Sequence, residues 1–423
     1  MAISTQRSLK ELKKECDRYG LVVTQSGNRE SKTDYVLALR EYYLQTLYPN
    51  GVPATLDLML QIESPMLCNR FSNLKPEQQE AIWNSDEWYL ETKEDGCRML
   101  IVKVGNDWQF FSRNISVKDF LPVSYSGHIL ENWDHEGIDH DFILDCELVS
   151  LDNQVSTILG KRGLVTTTQL QAVTALLALN SEDTLSIQKG LVTEDGTPVL
   201  QFRCFDCLWS DGEWHLEKAL IDRKKYTYQF IDILKSKGMN IRKPYSNISN
   251  KRAFYKAIIA NGGEGCVAKN IYSPYIASSN RPAYGWVKIK RSMSETQQMM
   301  GLADTVDAFV TGFEPADPNK SWAGLVGALE FSVFLEDENG ERKQHKIARI
   351  TNLTMELREQ MTKIVDGEPV LKEEWYGKCA SIDGVCVSGR AKRLKHARLI
   401  DWRPDRSPDT CIMTEEFLNS MIL

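Results

Sequence analysis

The chain has 423 residues, of which 42% are hydrophobic and 26% charged, values typical of soluble globular domains that argue against a disordered or fibrous chain. This length allows two or three domains. No apolar run approaches the ~20 residues of a membrane-spanning helix, and the N-terminus lacks the apolar core of a signal peptide, so we expect a cytoplasmic protein with no membrane partner.

The net charge of −7 does not exclude a nucleic-acid ligand. Binding of phosphates depends on the local basic surface and not on the total charge. The segment GRAKRLKHARLIDWRPDR (389–406) is strongly basic, whereas acidic residues are concentrated elsewhere. The total charge therefore favours no class of partner.

The ten cysteines are spread singly, apart from the close pair Cys204 and Cys207. A zinc site would need a second such pair, or histidines at matching spacing. This pair lies in the apolar segment LQFRCFDCLW, which has the pattern of a buried strand. We interpret the cysteines as structural thiols in a reducing compartment.

The first predicted elements, in residues 8–44, are two short helices around a polar turn. Leu9 and Leu12 recur at helical spacing, Gly20 ends the first helix, and a second apolar stripe begins at Val36. The segment resembles a SAP-type helix pair, which binds duplex DNA. A plain two-helix cap on the next domain is the alternative. In the DNA-binding interpretation, four basic residues of the first helix approach phosphates: Lys10, Lys13, Lys14 and Arg18.

After a proline-containing linker, LYPNGVPAT, the pattern changes to alternation. EWYLETK, CRMLIVKV and WQFFSRN are separated by the turn signals EDG and GND, which predicts an antiparallel meander over about residues 86–115. Further strands (FILDCELVS, VLQFRCFDCLW, GCVAKN, GWVKIKR) alternate with the helices TTTQLQAVTALLALN and LIDRKKYTYQFIDILKSK, which indicates an α+β domain. Beyond residue 300, VDAFVTGFE, GALEFSVFLE and QHKIARI predict a compact β-barrel of about 120 residues.

The segment KEDGCR (93–98) lies at the tight turn between two of these strands. A lysine leaving a strand at such a turn can project its amine into a cleft. An ordinary lysine has a pKa of about 10.4 and is almost fully protonated at neutral pH, so Lys93 would act as a nucleophile only if its pKa were lowered. Neighbouring cations, a metal ion or burial could do this. Surface turns of this composition are common, so the motif alone decides nothing.

Two carboxylates, Asp145 and Glu147, alternate onto one face of the predicted strand ILDCELV, with Cys146 on the other face. On an apolar strand they are costly unless they bind a cation or a hydrogen-bond donor. A solvated face at a sheet edge is the alternative. Phe205 lies among apolar residues and either belongs to the core or stacks on a purine.

The last candidate functional residues of the predicted α+β domain are Glu264, Lys288 and Lys290. Glu264 follows two glycines, which let a backbone or a ligand approach closely. Lys288 and Lys290 alternate onto one face of WVKIK, where solvated lysines are the alternative. Facing a triphosphate, they would neutralise the leaving group and lower the pKa of Lys93.

In order, KEDGCR, SRN, LDCELV, FDCLW, GEGCVAK and WVKIK resemble the nucleotidyltransferase motifs of ATP-dependent DNA ligases, whose superfamily includes RNA ligases and mRNA capping guanylyltransferases. RPDR (403–406) resembles the C-terminal motif of the family. The resemblance covers about residues 60–415. Cys146 stands where the family often has glycine, and the segment 151–200 is an insertion beyond the minimal core.

The resemblance implies an α+β fold with three parts: a SAP-like helical segment (1–46), an adenylation domain of antiparallel sheets and helices (47–300) and an OB-fold barrel (301–423). The barrel would close over the nucleotide for the first step and open to grip DNA. A hinge near residues 295–305 would permit this motion.

The resemblance also implies site roles. Lys93 would take AMP from ATP, and Glu147 and Glu264 would hold Mg²⁺, with Mn²⁺ as a substitute. Phe205 would stack on adenine, the backbone at Glu91 and Thr92 would select that base, and the arginines and lysines would bind ribose and phosphates. The implied nucleotide-binding set is Glu91, Thr92, Arg98, Arg113, Glu147, Phe205, Arg281, Lys288, Lys290, Arg403 and Arg406.

The implied protein is a monomeric DNA ligase, bacterial or from a phage, whose partners are ATP and nicked duplex DNA. It would seal 5′-phosphate/3′-hydroxyl nicks through a lysyl-AMP and a DNA adenylate. An RNA ligase, a capping guanylyltransferase and a non-catalytic DNA-binding scaffold are the alternatives. The SAP-like front and the ligase-type ending argue against a capping enzyme, and the intact set of site residues argues against a scaffold.

Overall fold

A computed structural model describes most of the chain. The described residues are 7–26, 30–62, 64–151, 169–193, 196–277, 283–290, 306–318, 320–337, 340–384, 386–387, 391–395, 397–415 and 418. The chain divides into two compact units, Met1–Lys290 and Arg291–Leu423. Among the described residues, no helix combines the length and apolar character needed to cross a membrane.

The helices of the first unit are α1 (Leu9–Tyr19), α2 (Lys32–Leu47), α3 (Ala54–Gln61), α4 (Pro76–Asn84), α5 (Gln169–Leu177), α6 (Ser181–Gly190), α7 (Leu220–Ser236) and α8 (Lys251–Ala260). Its strands are β1 (Cys68–Arg70), β2 (Trp88–Thr92), β3 (Cys97–Val104), β4 (Asp107–Ile115), β5 (Pro122–Ser124), β6 (Phe142–Ser150), β7 (Leu200–Ser210), β8 (Glu213–Trp214), β9 (Ile241–Arg242), β10 (Ser246–Asn247), β11 (Gly265–Asn270) and β12 (Ala283–Lys290).

In the part of the second unit that the structure describes, there are one helix, α9 (Met355–Met361), and ten further strands. They are β13 (Val306–Pro315), β14 (Val326–Glu336), β15 (Arg342–Ile350), β16 (Thr362–Val365), β17 (Glu368–Leu371), β18 (Cys379–Asp383), β19 (Cys386–Val387), β20 (Leu394–Lys395), β21 (Arg398–Trp402) and β22 (Ile412–Thr414).

Two sheets form the centre of the first unit. The first sheet has the order β1-β12-β11-β2-β10, and the second has the order β5-β4-β3-β6-β7-β8 with β9 on β7. The chain passes from the first sheet to the second through the turn between β2 and β3. Residues 93–96, which contain the candidate nucleophile, make this crossing.

Strand β3 shows why the sheets pack as layers. Because successive side chains of a strand point to opposite faces, Met99 and Ile101 enter one core while Leu100 and Val102 enter another. The first of these cores is covered by α7, and the second lies between the two sheets, where it includes Trp286 of β12. Both faces of the second sheet are therefore buried, and the candidate site lies where the sheets meet.

The predicted N-terminal helix pair is present. Ser8 and Glu11 form a capping box at the start of α1, and Gly20 ends α1 in the left-handed conformation (φ 65°). The pair has its own small core, which Phe120 of the β4–β5 loop completes. The second helix extends to Leu47, beyond the expected end at residue 44.

The second unit is rich in antiparallel strands, as expected. Its main sheet has the order β15-β14-β13-β18-β21, and β22 pairs with β14 in parallel. Over the described ranges, the strand pairing stops at β15 on one side and β21 on the other, without closing into a ring. The predicted mixed α+β class is confirmed. The sequence patterns did not predict α3, α4, α6, α8 or α9.

Candidate active site

Two glycines fix the turn that carries Lys93. A Cβ atom on Gly96 would lie 2.2 Å from the carbonyl oxygen of Leu148, so a larger residue would push the turn away from β6. Gly265 has a φ of +135°, and a Cβ atom there would lie 2.1 Å from the carbonyl oxygen of Ile289. The backbone N–H of Lys93 donates to the carbonyl oxygen of Gly265 at 2.9 Å. The nucleophile candidate is thus tied to β11.

The side chain of Lys93 forms an ion pair with Glu264. The other carboxylate oxygen of Glu264 lies 2.5 Å from Nζ of Lys290. The three side chains are 23%, 19% and 33% exposed, respectively, so solvent reaches all of them. The structure therefore brings together Lys93, Glu264 and Lys290, which we call the outer triad.

The expectation that neighbouring cations lower the pKa of Lys93 is wrong for this arrangement. Burial disfavours the charged amine and by itself would lower its pKa, but the carboxylates of Glu264, Glu147 and Asp95 together outweigh burial, and Glu264 contributes the most. The pKa of Lys93 is raised. The lysines of WVKIK are evident from the sequence. The ion pair between Lys93 and the carboxylate of Glu264 becomes evident only in the folded chain.

Lys288, on the same strand as Lys290, has the lowered pKa that was expected of Lys93. Burial lowers the pKa of Lys288, and the positive charges of Lys290, Arg70 and Lys93 lower it further. Ile289 between the two lysines is buried, in agreement with the predicted alternation. Lys288 and Lys290 therefore share one side of β12.

Glu147 is the second carboxylate beside the turn. It lies opposite Arg98 in the register of β3 and β6. Burial raises its pKa to about 7, against the opposing effects of Arg98 and Lys93. Within the described part of the chain, its carboxylate accepts no hydrogen bond. A half-buried carboxylate without a hydrogen-bond donor is a group that a bound cation would stabilise in its charged form.

The donor chemistry of Glu147 and Glu264 fits Mg²⁺, which is commonly held by one or two carboxylates together with substrate phosphates. The two groups are close enough for the charge of Glu264 to raise the pKa of Glu147. The described residues contain no cluster of three or more metal-ligating side chains. Any ion here would therefore complete its shell with water or with ligand oxygens.

Asp145 has a different environment from Glu147. It is fully buried and accepts hydrogen bonds from Nε of Arg98 at 2.5 Å and from the hydroxyl of Tyr275 at 2.6 Å. The guanidinium of Arg98 also lies over the ring of Phe205, 4.9 Å from its centroid. The two carboxylates that were predicted as a pair therefore differ: Asp145 is bound by Arg98, whereas the carboxylate of Glu147 accepts no hydrogen bond from the described residues.

Glu91 forms a second set of ion pairs on β2. Its carboxylate binds Lys224 of α7, and its other oxygen lies 2.6 Å from Nζ of Lys269. The hydroxyl of Tyr89 donates to it at 3.1 Å. Burial would raise the pKa of Glu91, but the two lysines lower it. We call Lys224, Glu91 and Lys269 the inner triad. Sequence analysis had assigned no role to Lys224, because a lysine within an amphipathic helix gives no signal of a buried partner.

Phe205 belongs to the core between the two sheets and is 9% exposed. Its ring packs edge-to-face on Trp286 at 5.7 Å, and Nζ of Lys269 lies 4.4 Å from its centroid. The core alternative therefore describes Phe205 in this structure. Stacking of adenine on Phe205 remains a prediction. It requires Arg98 or Lys269, which lie over the ring, to move away from one of its faces.

The remaining predicted residues of the first unit occupy varied positions. The backbone N–H of Thr92 donates to the carbonyl oxygen of Tyr245 at 2.8 Å, and Arg113 is exposed on β4. Arg281 lies outside the described residues. On α1, Lys10 and Lys14 are exposed, Lys13 pairs with Glu30, and Arg18 lies over the ring of Tyr19.

In the second unit, Arg403 and Arg406 lie in the turn that follows β21. Both form ion pairs with Asp307 of β13. Arg403 also binds Asp405 through two hydrogen bonds, of 2.9 and 2.7 Å. Sequence analysis had not identified Asp307, because it lies almost one hundred residues before the arginines.

Comparison with known proteins gives one family match. Residues 65–290, just over half of the chain, match the model of the ATP dependent DNA ligase domain. The chain is 25% identical over 311 residues to a probable DNA ligase of Dictyoglomus thermophilum, covering 70% of this chain and 46% of that protein. It is 24% identical over 287 residues to DNA ligase 4 of Candida albicans, covering 63% and 28%. It thus spans less than half the length of these curated relatives.

Solved structures give weaker similarities. The ligase domain of M. tuberculosis LigD aligns with 83% of this chain and 98% of its own, with 17% identity and a TM-score of 0.38. A structure titled Pmar-Lig_PreS3 aligns with 88% of this chain and 72% of its own, with 14% identity and a TM-score of 0.49.

Proposed function

The chain belongs to the family of ATP-dependent DNA ligase domains, and from this membership we propose that it seals nicks in duplex DNA with ATP, carrying AMP on Lys93. The observation that carries the proposal is the outer triad beside Glu147, at the crossing between the two sheets. A lysine, two carboxylates and a second lysine meet there at partly exposed positions. This set has the charges needed to bind a metal–triphosphate and the amine needed to attack it.

In the first step, the amine of Lys93 attacks the α-phosphate of ATP. A nitrogen–phosphorus bond forms, and the bond to pyrophosphate breaks. The ammonium proton must first be lost to solvent, which the charge of Glu264 opposes. Neutralisation of that charge removes the largest effect that raises the pKa of Lys93, so burial then favours the uncharged amine.

A bound Mg²⁺ would be held by Glu147 and Glu264 and would screen the negative charge of the phosphates. Lys290 would exchange its ion pair with Glu264 for a phosphate oxygen, and Lys288 would lie beside it on β12. The backbone at Glu91 and Thr92, at the end of β2, would select the adenine base. In the second unit, Arg403 and Arg406 would bind the departing pyrophosphate.

In the second step, AMP passes from Lys93 to the 5′-phosphate at the nick, so that a phosphoanhydride forms and the phosphoramide breaks. In the third step, the 3′-hydroxyl attacks the activated phosphate and AMP leaves. Arg113 is exposed on β4, where it can meet the 5′-phosphate. Lys10 and Lys14, exposed on α1, would contact the duplex backbone.

The test is sealing of a labelled nicked duplex, with ATP or GTP as the nucleotide. We expect wild-type protein to seal with ATP alone. Lys93→Ala should abolish sealing yet keep its affinity for nicked DNA, whereas Lys235→Ala, which changes an exposed lysine of α7, should seal like wild type. Transfer of GMP to an RNA end would support the capping alternative. Sealing confined to RNA would support the RNA ligase alternative, and DNA binding without nucleotide transfer would support a scaffold.

A further inference from the structure

Two arginines of the second unit converge on one carboxylate. Nη1 of Arg403 lies 3.3 and 3.4 Å from the two oxygens of Asp307, and Nε of Arg406 lies 3.4 Å from Oδ2. Two guanidinium groups repel each other, so holding them around one point requires a shared anion. The side chain of Asp307 is 20% exposed, which reduces the screening of these interactions by water.

Asp307 is itself fixed by the sheet. It lies opposite Ser381 in the register of β13 and β18, and the Ser381 hydroxyl donates to Oδ1 at 2.6 Å. The same strand β18 holds the start of the arginine turn, because the backbone N–H of Arg403 donates to the carbonyl oxygen of Cys379 at 2.8 Å. The arginine pair is thus positioned by two strands and not by its own turn alone.

The contacts with Asp307 leave the terminal nitrogens of Arg406 available. Arg406 uses Nε for Asp307, and over the part of the chain that the structure describes its two terminal nitrogens form no hydrogen bond. Its side chain is 41% exposed. Arg403 is held more firmly, between Asp307 and Asp405. This arrangement presents an oriented pair of donors to an incoming anion with two phosphate groups.

We propose that Asp307 is a positioning residue for Arg403 and Arg406 in the reaction with ATP; this rests on the proposed function. Asp307 neutralises the repulsion between the two arginines and sets the direction of their donors. It does not touch the substrate. Because the proposed function assigns the arginine pair to the departing pyrophosphate and not to the joining of the DNA ends, loss of Asp307 should slow the first step selectively.

The experiment measures the single-turnover rate of enzyme–AMP formation for wild type and Asp307→Asn, and in parallel the sealing of a nick that already carries the 5′-adenylate. We expect Asp307→Asn to slow the first reaction by about tenfold or more and to change the second by less than about twofold. Ser381→Ala, which removes one hydrogen bond to Asp307, should give a smaller loss. Asp307→Glu should recover part of the rate.

The matched control is Glu314→Gln. Glu314 lies on the same strand β13 and binds Arg349 through Nε at 2.8 Å and Nη2 at 2.6 Å, away from the arginine turn. This variant should keep both rates. Denaturant unfolding of each variant separates loss of folding from loss of positioning, and Ser381→Ala keeps the proposal testable if Asp307→Asn is unstable.

A double-mutant cycle tests whether Asp307 acts through the arginines. In the Arg403→Ala/Arg406→Ala background, Asp307→Asn should have no further effect on enzyme–AMP formation. A folded Asp307→Asn variant with the wild-type rate would overturn the proposal, as would an equal loss in sealing of the pre-adenylated nick, or an undiminished effect in the arginine-free background. A wild-type protein that forms no AMP adduct would instead overturn the proposed function, and this proposal with it.

Discussion

The outer and inner triads have the same composition, lysine–glutamate–lysine, and both lie at the sheet that contains β2, β11 and β12, with Lys224 supplied by α7. They differ in burial. Lys224, Glu91 and Lys269 are 8%, 4% and 2% exposed, whereas every member of the outer triad is at least 19% exposed. A fully buried ion pair cannot exchange its partner without leaving a charge uncompensated. A partly exposed pair can exchange its partner for a phosphate or a metal ion.

The electrostatics of the two triads also differ. In the inner triad, burial lowers the pKa of Lys269 although Glu91 opposes the change, whereas the charge of Glu91 raises the pKa of Lys224 against burial. In the outer triad, burial is weaker and Glu264 raises the pKa of Lys93. The inner triad thus stabilises the fold as a fixed set of ion pairs. The outer triad contains an amine, that of Lys93, whose charge can change.

The largest expected effect is on stability. Glu91→Gln removes the anion that two buried lysines share, and loss of one partner from a buried ion pair costs about 3–5 kcal/mol. Glu264→Gln acts at partly solvated positions, where the expected cost is about 1 kcal/mol or less. Urea unfolding of the two variants measures both free energies. Equal losses would break the distinction between the triads.

The second prediction concerns the charge of Lys93. Because Glu264 raises the pKa of Lys93 against the effect of burial, Glu264→Gln should lower it. The pH at which Lys93 becomes half-reactive toward an amine-specific reagent, followed by peptide mass spectrometry, should move to lower pH. Glu91→Gln should leave this pH unchanged if the variant is folded. A shift to higher pH in Glu264→Gln would contradict the assignment of Glu264 as the controlling partner.

The third prediction concerns the pH dependence of stability through Glu147. Burial raises its pKa from the model-compound value of 4.5 to about 7, so the folded state binds the proton more tightly than the unfolded state. The stabilisation that this proton provides is complete below about pH 4.5 and is lost as the pH rises through about 7. Glu147→Gln should remove this contribution to the change of the unfolding free energy with pH.

Unfolding of wild type and Glu147→Gln between pH 5 and 8, in chelator, measures that slope. Added Mg²⁺ should stabilise wild type above pH 7 more than it stabilises the variant, because an ion bound to the carboxylate replaces the proton. Parallel pH profiles for the two proteins would show that Glu147 is not the titrating group.

The smallest expected effect comes from Lys290→Met. Without Lys290, the carboxylate of Glu264 would interact with Lys93 alone. It would therefore stabilise the protonated amine of Lys93 more strongly. The half-reactive pH of Lys93 should therefore rise slightly, in the direction opposite to the shift from Glu264→Gln. The same labelling assay detects it, and an exposed substitution such as Lys235→Met is the control. Shifts of the same sign in both variants would show that the outer triad does not act as one unit.

Sequence analysis could identify features that depend on local chain properties. The turn at KEDG, the alternation in WVKIK and the capped helix pair follow from spacing and from glycine, and each is present in the structure. The first three strands of the second unit were also predicted, from VDAFVTGFE, GALEFSVFLE and QHKIARI.

Features that depend on partners distant in the sequence could not be found in this way. Lys224 and Asp307 carry no motif, and their roles become visible only when α7 packs on β2 and β13 pairs with β18. The sign of the pKa change at Lys93 was wrong for the same reason, since Glu264 lies 171 residues away in the sequence. Burial, which separates the two triads, is equally a property of the folded chain.

The central claim is that Lys93 is the amine that accepts AMP. The direct measurement is peptide mapping by mass spectrometry after incubation of the protein with ATP and Mg²⁺. We predict one AMP per chain, attached through an acid-labile phosphoramide to Lys93, and none in Lys93→Ala. An adduct on another residue, such as Lys290 or Lys269, or no adduct in a folded wild-type protein, would contradict the account.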